Sequence, residues 1–397
     1  MDRADLRGAI SAVSERAQRV AIVGVAESDE IGLVPGKSSL QHHAEAAFNA
    51  LADAGLNARD VDGLFTAGFS TLTTAEYMGI RPRYTDSTSV GGSSFVIEVA
   101  HALAAIQAGF CDVALITHGQ TGRSARPPGL QTIRLDNVGA PIGEFQAPYG
   151  IIGPPVSYGM ACSRYMHRYG EDRTRQALAE IAVATRKWAQ LNPRALMRDP
   201  MSFQDYHASR WIAWPFHLLD CCLVTDAGAA AVITRADRAL DCAKPPVWVL
   251  GAAEYHDHYA ISQMPDLTVT PARDSGPRAL AMAGVAPQDV DLTMVYDSFT
   301  YTVLATLESL GFCGPGEGPD LVADQRTAPG GAFPLNTNGG GLSYTHPGMY
   351  GIFLIVEAVR QLRGECGPRQ VSDCRIALVN GTGGYLSSTG TVVLAAD

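Results

Sequence analysis

Apolar residues along the chain follow two spacings, one typical of amphipathic helices and one typical of buried strands, and their succession recurs in two similar segments. Residues 51–65 read LADAGLNARDVDGLF and residues 280–294 read LAMAGVAPQDVDLTM, with seven identities in fifteen positions. In each copy a periodic helix ends at a glycine, Gly55 or Gly284, which suits the left-handed backbone of a helix end. A short polar link and an apolar strand follow. The pattern predicts an internal duplication.

A second pair of segments extends the duplication. Residues 114–119 read ALITHG and residues 377–381 read ALVNG, and each of these apolar strands comes after a predicted helix, over 95–107 and 352–362 respectively. Both halves therefore alternate strands and helices in the same order. The fold class is α/β, with sheets packed between helices and ligands approaching the carboxyl ends of the strands.

The duplication divides the chain into an N-terminal half, 1–245, and a C-terminal half, 246–397. The first half carries a long insertion at about 120–209 that is rich in proline, glycine and aromatic residues, with helices predicted over 156–169 and 173–191. An insertion at the end of a strand commonly covers a site and selects the substrate. A purely scaffolding role is an equal alternative.

Composition narrows the function classes. A chain of 397 residues exceeds the usual size of one core, which agrees with two halves. The net charge of −10 removes the basic surface expected of a nucleic-acid or polybasic membrane protein. Residues 1–19 lack the apolar core of a signal peptide, and no apolar run is long enough to span a bilayer. Eight cysteines without regular spacing indicate reduced thiols and a cytoplasmic location.

Two apparent metal or redox sites are weak. Cys221 and Cys222 lack the CxxC spacing, and adjacent cysteines cannot easily satisfy disulfide geometry, so we interpret them as small buried hydrophobic residues. His256 and His258 alternate on one strand without a second cluster of ligands. We expect no metal site.

The strongest local signal is NGGGLSYTHPGMYG at 338–351. Consecutive glycines around Gly340 allow backbone close to a ligand, and Pro347 suits the first turn of a helix that begins near Gly348. His346 would then lie at a helix N-terminus, where the helix dipole favours a neutral imidazole that can act as a base or hydrogen-bond donor. A turn with a capping histidine is the alternative.

Two further segments end predicted strands of the C-terminal half, YDSF at 296–299 and NGTGG at 380–384. With the glycine-rich segment they follow the order in which the thiolase superfamily presents its NEAF-like, GGGxxxGHPxGxSG-like and CxGGG-like segments, and the chain resembles that superfamily over nearly all residues from Val20 onward. The resemblance implies a layered α-β-α-β-α arrangement with an inserted loop domain, a dimer, and a coenzyme A thioester as substrate without a further cofactor. The residues that it implies in thioester binding are Gly92, Ser93, Gly340, Asn380 and Gly381.

The chain departs from the superfamily at its nucleophile. Counting back from IQAG at 106–109 places Gly92 where thiolases carry the reactive cysteine, and a glycine cannot be acylated. The second thiolase cysteine falls at or beside Asn380. Ser93 or Ser94 could replace the nucleophile only with an adjacent base. Capping of the following helix is the stronger interpretation of both serines.

Within the superfamily the chain resembles the thiolase-like, lipid-transfer-protein type of aldolase, which removes a side-chain fragment from steroid acyl-CoA substrates. That group carries a tyrosine in a YDHF-like segment and a YxH motif after the glycines, which correspond here to Tyr296 and to Tyr344 with His346. Ser298 replaces the histidine of the group. Either tyrosine could instead pack in the core with its hydroxyl satisfied.

This resemblance implies retro-aldol cleavage of a 3-hydroxyacyl-CoA to a ketone and a short acyl-CoA such as propionyl-CoA. One tyrosine, aided by His346, would deprotonate the 3-hydroxyl, the other would protonate the enolate, and an oxyanion hole would stabilise it. Such aldolases act with a small partner that has an OB fold and a zinc ribbon, so a separate partner is expected. The alternatives are a thiolase or acyltransferase subunit acting on a 3-ketoacyl-CoA, with Ser93 or a partner group as nucleophile, and a non-catalytic acyl-CoA or lipid binder.

Overall fold

The structure is a computed structural model that describes residues 19–125, 141–151 and 153–396. Residues 1–18, on which the signal-peptide prediction rests, and residues 126–140 of the insertion lie outside the described residues. The strands are β1 (Val20–Glu27), β2 (Gly63–Thr66), β3 (Tyr84–Ser87), β4 (Val113–Thr121), β5 (Trp211–Ala213), β6 (Phe216–His217), β7 (Asp226–Arg235), β8 (Val247–His256), β9 (Leu292–Val295), β10 (Ile376–Gly383) and β11 (Ser388–Ala395).

The helices predicted over 95–107, 156–169, 173–191 and 352–362 are confirmed to within two residues at each end. The helices of the structure are α1 (Ser39–Ala54), α2 (Thr71–Met78), α3 (Ser94–Gln107), α4 (Pro141–Phe145), α5 (Pro154–Tyr169), α6 (Glu171–Gln190), α7 (Phe203–Ala208), α8 (Ala236–Ala239), α9 (Ala272–Ala283), α10 (Thr300–Leu310), α11 (Gly318–Val322) and α12 (Gly351–Leu362). None of the helices among these described residues is both long enough and apolar enough to cross a membrane.

Nine of the described strands form one mixed sheet in the order β3-β2-β4-β7-β1-β8-β11-β10-β9. The strands β3, β2 and β4 run parallel, as do β9 and β10, whereas every other neighbouring pair is antiparallel. The two halves of the sheet meet at β1 and β8, where Ala21 pairs with Trp248 and Ile22 with Val247. The sheet thus consists of two half-sheets joined by a short seam.

Helices α3 and α12 lie between the half-sheets and pack on strands of both. Both are buried on almost every face, which is the property of a helix enclosed by other elements. Helix α1 covers the outer face of the N-terminal half-sheet, α9 covers the outer face of the C-terminal half-sheet, and α10 packs against α9. The predicted α-β-α-β-α layering is confirmed.

The internal duplication is visible element for element. Gly55 ends α1 with φ 72°, and Gly284 ends α9 with φ 66°, and each helix leads through a short 3-10 turn into a strand, β2 or β9. The outer helices approach their sheets at equivalent glycines. A Cβ on Gly24 would overlap the carbonyl oxygen of Ala50, and one on Gly251 would overlap that of Ala279. Both halves therefore depend on the same close helix–sheet contact.

Candidate functional site

The strand β9 delivers Tyr296 to the carboxyl edge of the sheet. Its backbone N–H donates to the Asn380 carbonyl at 3.0 Å, which fixes the residue beside β10. The ring is buried, and its hydroxyl lies 2.9 Å from Nε2 of His346. The backbone N–H of Tyr350 donates to the same hydroxyl at 3.1 Å. The structure therefore brings together Tyr296 and His346, two of the predicted catalytic residues.

Gly92 lies directly against the Tyr296 ring. A Cβ at this position would stand 2.5 Å from Tyr296 Oη and closer still to the ring carbons Cε2 and Cζ. Because the phenol occupies the volume that a side chain at position 92 needs, only glycine fits there. The tyrosine at position 296 therefore requires a glycine at position 92, where the resemblance to thiolases places the nucleophile.

The protonation of Tyr296 follows from its surroundings. Burial raises the pKa of its hydroxyl well above 10, so the phenol keeps its proton at neutral pH. The phenol and Nε2 of His346 share this hydrogen bond, and which of the two donates depends on the histidine tautomer. The His346 backbone N–H donates to Thr225 Oγ1 at 3.0 Å and holds the residue in place.

The prediction that His346 lies at a helix N-terminus is wrong. Helix α12 begins at Gly351, and Pro347 and Gly348 precede it in a turn in which Gly348 has φ 112°. The helix dipole instead acts through Tyr350, whose N–H is one of the amides that a helix start leaves without an intrahelical partner. That amide is the one directed at Tyr296 Oη.

Asp297 fixes the glycine-rich segment against β9. Residues Gly340–Tyr344 form a single π-helical turn, and the Asp297 carboxylate accepts the backbone N–H groups of Gly341 at 2.7 Å and Leu342 at 3.1 Å. Gly340 has φ 60°, and a Cβ there would overlap Asp297 Oδ2. Complete burial raises the pKa of Asp297 to about 7, although both amide hydrogen bonds oppose the shift. The glycines are thus required by the backbone turn and by this carboxylate.

Tyr344 directs its hydroxyl away from Tyr296. The hydroxyl donates to Glu27 Oε1 at 2.7 Å, and Arg360 forms a bidentate ion pair with the same carboxylate at 2.8 and 2.7 Å. Glu27 lies on β1 and Arg360 on α12, so the cluster links the two halves of the chain. A direct part for Tyr344 in proton transfer stays a prediction.

We expect this cluster to make stability depend on pH. Burial by itself would raise the pKa of Glu27, but the charge and hydrogen bonds of Arg360 outweigh it and lower the value to about 2 from 4.5. A lowered carboxyl pKa contributes stability above pH 4.5 that is lost as the pH falls toward 2, about 3 kcal/mol in total. Urea unfolding between pH 3 and 7 should show Arg360→Met destabilised most at pH 7, with the gap narrowing as the pH falls.

The matched control for that measurement is Arg278→Met. Arg278 forms an exposed pair with Asp274, in which the arginine side chain is 63% exposed, and such pairs contribute little. An Arg360→Met variant whose deficit is the same at pH 3 and pH 7 would contradict the role assigned to the ion pair.

The two serines at the start of α3 differ from the capping prediction. Ser93 makes no side-chain bond to a helix amide, and its Oγ lies 2.9 Å from Ser388 Oγ on β11. Ser94 bonds locally, donating to the Gly91 carbonyl at 2.7 Å and accepting from the Val90 N–H at 3.1 Å. The prediction is wrong for Ser93 because the α3 N-terminus packs closely on the C-terminal half-sheet.

The other predicted binding residues lie on β10 next to α3. A Cβ on Gly381 would stand 3.0 Å from the Cα of Ser93, so this glycine permits the contact between β10 and the start of α3. The Asn380 side chain donates to Thr391 Oγ1 at 2.8 Å, within the sheet. Gly92, Ser93 and Gly381 are thereby adjacent, whereas Gly340 lies against Asp297.

Sequence reasoning missed the contributions of Tyr350 and of Tyr158. Tyr350 belongs to the same glycine-rich motif as His346, and that proximity was the available signal. Tyr158 of α5 donates its hydroxyl to the Gly384 carbonyl at 3.0 Å, and no sequence pattern pointed to it. The segment after the insertion reaches the site through the Leu223 N–H, which donates to the Gly341 carbonyl at 2.8 Å. The Tyr158 contact favours the interpretation that the insertion covers the site.

The structure differs in one respect from the prediction for the cysteines. None of the eight forms a disulfide, but Cys221 and Cys222 are only partly buried. The Cys222 N–H donates to the Ser298 carbonyl at 3.0 Å, so this pair forms part of the segment that contacts the site. Ser298 Oγ lies 2.8 Å from Thr302 Oγ1.

Comparisons with known proteins find relatives over most of the chain. A family model described as thiolase C-terminal domain-like matches residues 253–396. The chain is 39% identical over 362 residues to the 17-hydroxy-3-oxo-4-pregnene-20-carboxyl-CoA lyase of Mycobacterium tuberculosis, covering 87% of this chain and 92% of the relative. It is 36% identical over 392 residues to a steroid side-chain-cleaving aldolase of Thermomonospora curvata, covering 95% of this chain and 98% of that relative.

Among solved structures, the protein described as the Ltp2-ChsH2(DUF35) aldolase superposes with a TM-score of 0.86 at 32% identity. The superposition covers 96% of this chain and 99% of that chain. The likeness therefore extends over both halves and the insertion.

Proposed function

Because the chain belongs to the thiolase superfamily and, within it, to the steroid side-chain-cleaving aldolases, we propose that it cleaves a 3-hydroxyacyl-CoA by a retro-aldol reaction. The substrate would be a steroid side-chain CoA ester, and the products a ketone and a short acyl-CoA such as propionyl-CoA. The observation that carries the proposal is the position of the Tyr296 phenol, which fills the nucleophile's volume beside Gly92 and is bonded to His346.

Tyr296 and His346 act together as the base. In the proposed resting state the phenol donates a hydrogen bond to His346 Nε2, 2.9 Å away, and it accepts one from the Tyr350 N–H, so a lone pair of Oη is left for the substrate hydroxyl. As the substrate O–H proton passes to Tyr296, the phenol's own proton passes to His346, which becomes an imidazolium. A phenol with a strongly raised pKa transfers charge in this way without forming a free phenolate.

Loss of the hydroxyl proton allows the carbon–carbon bond to break. The oxygen electrons form the ketone C=O, the C2–C3 pair passes to the thioester as an enolate, and C2 then takes up one proton to give the acyl-CoA. Backbone amides near Gly92 at the start of α3, with Ser93, Gly381, Asn380 and Gly340 around them, bind the thioester and stabilise the enolate oxygen. No acyl-enzyme forms in this sequence.

Tyr344 acts as a positioning residue in this proposal. Its hydroxyl donates to Glu27, so Tyr344→Phe removes one hydrogen bond to a buried carboxylate and should cost about 1.5–3 kcal/mol of stability. We expect cleavage activity to fall less than about tenfold, measured as ketone released under saturating substrate. A loss of activity of about a thousandfold in a folded Tyr344→Phe variant would indicate that Tyr344 contacts the substrate directly.

We also propose a homodimer that acts with a small OB-fold and zinc-ribbon partner in the cytoplasm. The solved Ltp2-ChsH2(DUF35) aldolase supports the partner. The strand β3 ends the sheet of the described chain with one neighbouring strand, and an open sheet edge is a natural place for a second copy to pair. Eight cysteines without a disulfide suit a reducing compartment.

The proposal is tested by co-expressing the chain with a zinc-ribbon partner and incubating the complex with a steroid 3-hydroxyacyl-CoA. Release of ketone and short acyl-CoA in equal amounts, without an acyl-enzyme by intact-protein mass spectrometry, is the expected result. A stable acyl adduct on Ser93 after incubation with a 3-ketoacyl-CoA would support the acyltransferase alternative. Absence of ketone from the complete complex would rule the aldolase out.

A further inference from the structure

The proposed reaction needs a proton at C2, and the structure offers a path for it on the Ser93 side of the site. Tyr296 and His346 take up the hydroxyl proton, and Tyr344 directs its hydroxyl to Glu27. Ser93 follows Gly92 directly in the chain, and Gly92 is the residue against which the Tyr296 phenol packs.

A continuous chain of hydrogen bonds leads from Ser93 to the surface. Ser93 Oγ lies 2.9 Å from Ser388 Oγ, and Ser388 Oγ lies 3.0 Å from His256 Nδ1. Ser388 and His256 are opposite each other in the register of β11 and β8, so the sheet itself holds the pair. Both serines are buried, whereas the His256 side chain is 48% exposed.

Charged groups hold His256, at the far end of this path of hydrogen bonds. His256 Nε2 lies 3.4 Å from one oxygen of Glu254, and the other oxygen lies 3.5 Å from Nε2 of His101. His101 Nδ1 in turn lies 2.7 Å from Asp86, and Arg278 donates to the Glu254 carbonyl at 3.3 Å. The His256 ring is thereby oriented with Nδ1 on Ser388 and one face in solvent.

We infer that Ser93 protonates C2 of the enolate and that Ser388 and His256 resupply its proton from solvent. A hydroxyl can donate one hydrogen bond while accepting another, so each serine can pass a proton on. A C–H bond forms at C2 as the Ser93 O–H breaks, Ser93 takes the Ser388 proton, and Ser388 takes the proton on His256 Nδ1. His256 regains its proton from water, which reaches its exposed side chain.

This inference rests on the proposed function, but its test does not need cleavage. The complex with its partner is incubated in D2O with propionyl-CoA, and exchange at C2 is followed by mass spectrometry, because protonation of the enolate and its reverse use the same groups. We expect the wild type to exchange, and Ser93→Ala, Ser388→Ala and His256→Ala each to exchange at least fivefold more slowly. His167→Ala, at an exposed histidine on α5, is the matched control and should exchange at the wild-type rate.

Added imidazole separates a proton path from a structural effect. It should restore exchange in His256→Ala, where it can reach Ser388 from solvent, and leave Ser388→Ala slow. Because His256 is half exposed, its alanine variant decides the matter even if a serine variant does not fold. A reduction smaller than fivefold in His256→Ala, no restoration by imidazole, or no exchange by a wild type that cleaves its substrate would each overturn the inference. Absence of ketone from the wild-type complex would instead overturn the proposed function.

Discussion

Replacement of Tyr296 by phenylalanine should reduce ketone release by about a thousandfold while leaving the protein folded. The variant keeps the ring that packs against Gly92 but loses the hydroxyl that bridges His346 Nε2 and the Tyr350 N–H. His346 then has no hydroxyl through which to accept the substrate proton. The measurement is kcat for ketone formation by the complete complex, with thermal unfolding in parallel.

The matched control is Tyr301→Phe. Tyr301 is also fully buried and its hydroxyl also makes one well-formed bond, to the Leu267 carbonyl at 2.9 Å, but it lies in the outer core of the C-terminal half. We expect its kcat to stay within about threefold of wild type, because a lost core hydrogen bond acts on stability. Similar kcat values for the two variants would contradict the assignment of Tyr296 as the proton acceptor.

Addition of a single methyl group at position 92 should be nearly as damaging. In Gly92→Ala the new Cβ meets the Tyr296 ring, so the phenol must move away from His346 Nε2. We expect a loss of at least about a hundredfold in kcat, together with about 1–3 kcal/mol of stability from overpacking. Gly92→Cys should behave in the same way, and intact-protein mass spectrometry should find no acyl-enzyme.

Gly36→Ala controls for the general cost of replacing a glycine. A Cβ at Gly36 meets nothing within 4 Å, and its backbone angles suit any residue, so activity and stability should not change. A Gly92→Ala variant with wild-type kcat would show that the phenol is free to shift. It would contradict the claim that Gly92 holds the Tyr296 phenol in its catalytic position.

Much of the fold was predictable because it depends on local patterns. The helix periodicity, the glycines that end α1 and α9 and the duplicated strands all lie within short stretches of sequence. The glycine at position 92 was predictable for the same reason, by counting back from IQAG at 106–109. The steric reason for a glycine there was not predictable. The Tyr296 ring comes from a position about two hundred residues away and meets Gly92 only when the half-sheets enclose α3.

The parts of the site that were wrongly predicted depend on tertiary contacts. The start of α12 was placed near Gly348, but the left-handed backbone at Gly348 delays the helix to Gly351 and leaves His346 in a turn. For Tyr344 the motif predicts a catalytic role that stays a prediction. The hydrogen bond of its hydroxyl to Glu27, at the end of β1, depends on a tertiary contact that spacing along the chain does not indicate.

The contact between Gly92 and Tyr296 restricts this site to one of two chemistries. A side chain at position 92 and the phenol in its present place would occupy the same volume. A chain with both a cysteine at position 92 and a tyrosine at position 296 would therefore have to hold one of them out of place. Acyl transfer through a cysteine and proton transfer through this phenol thus exclude each other within one site.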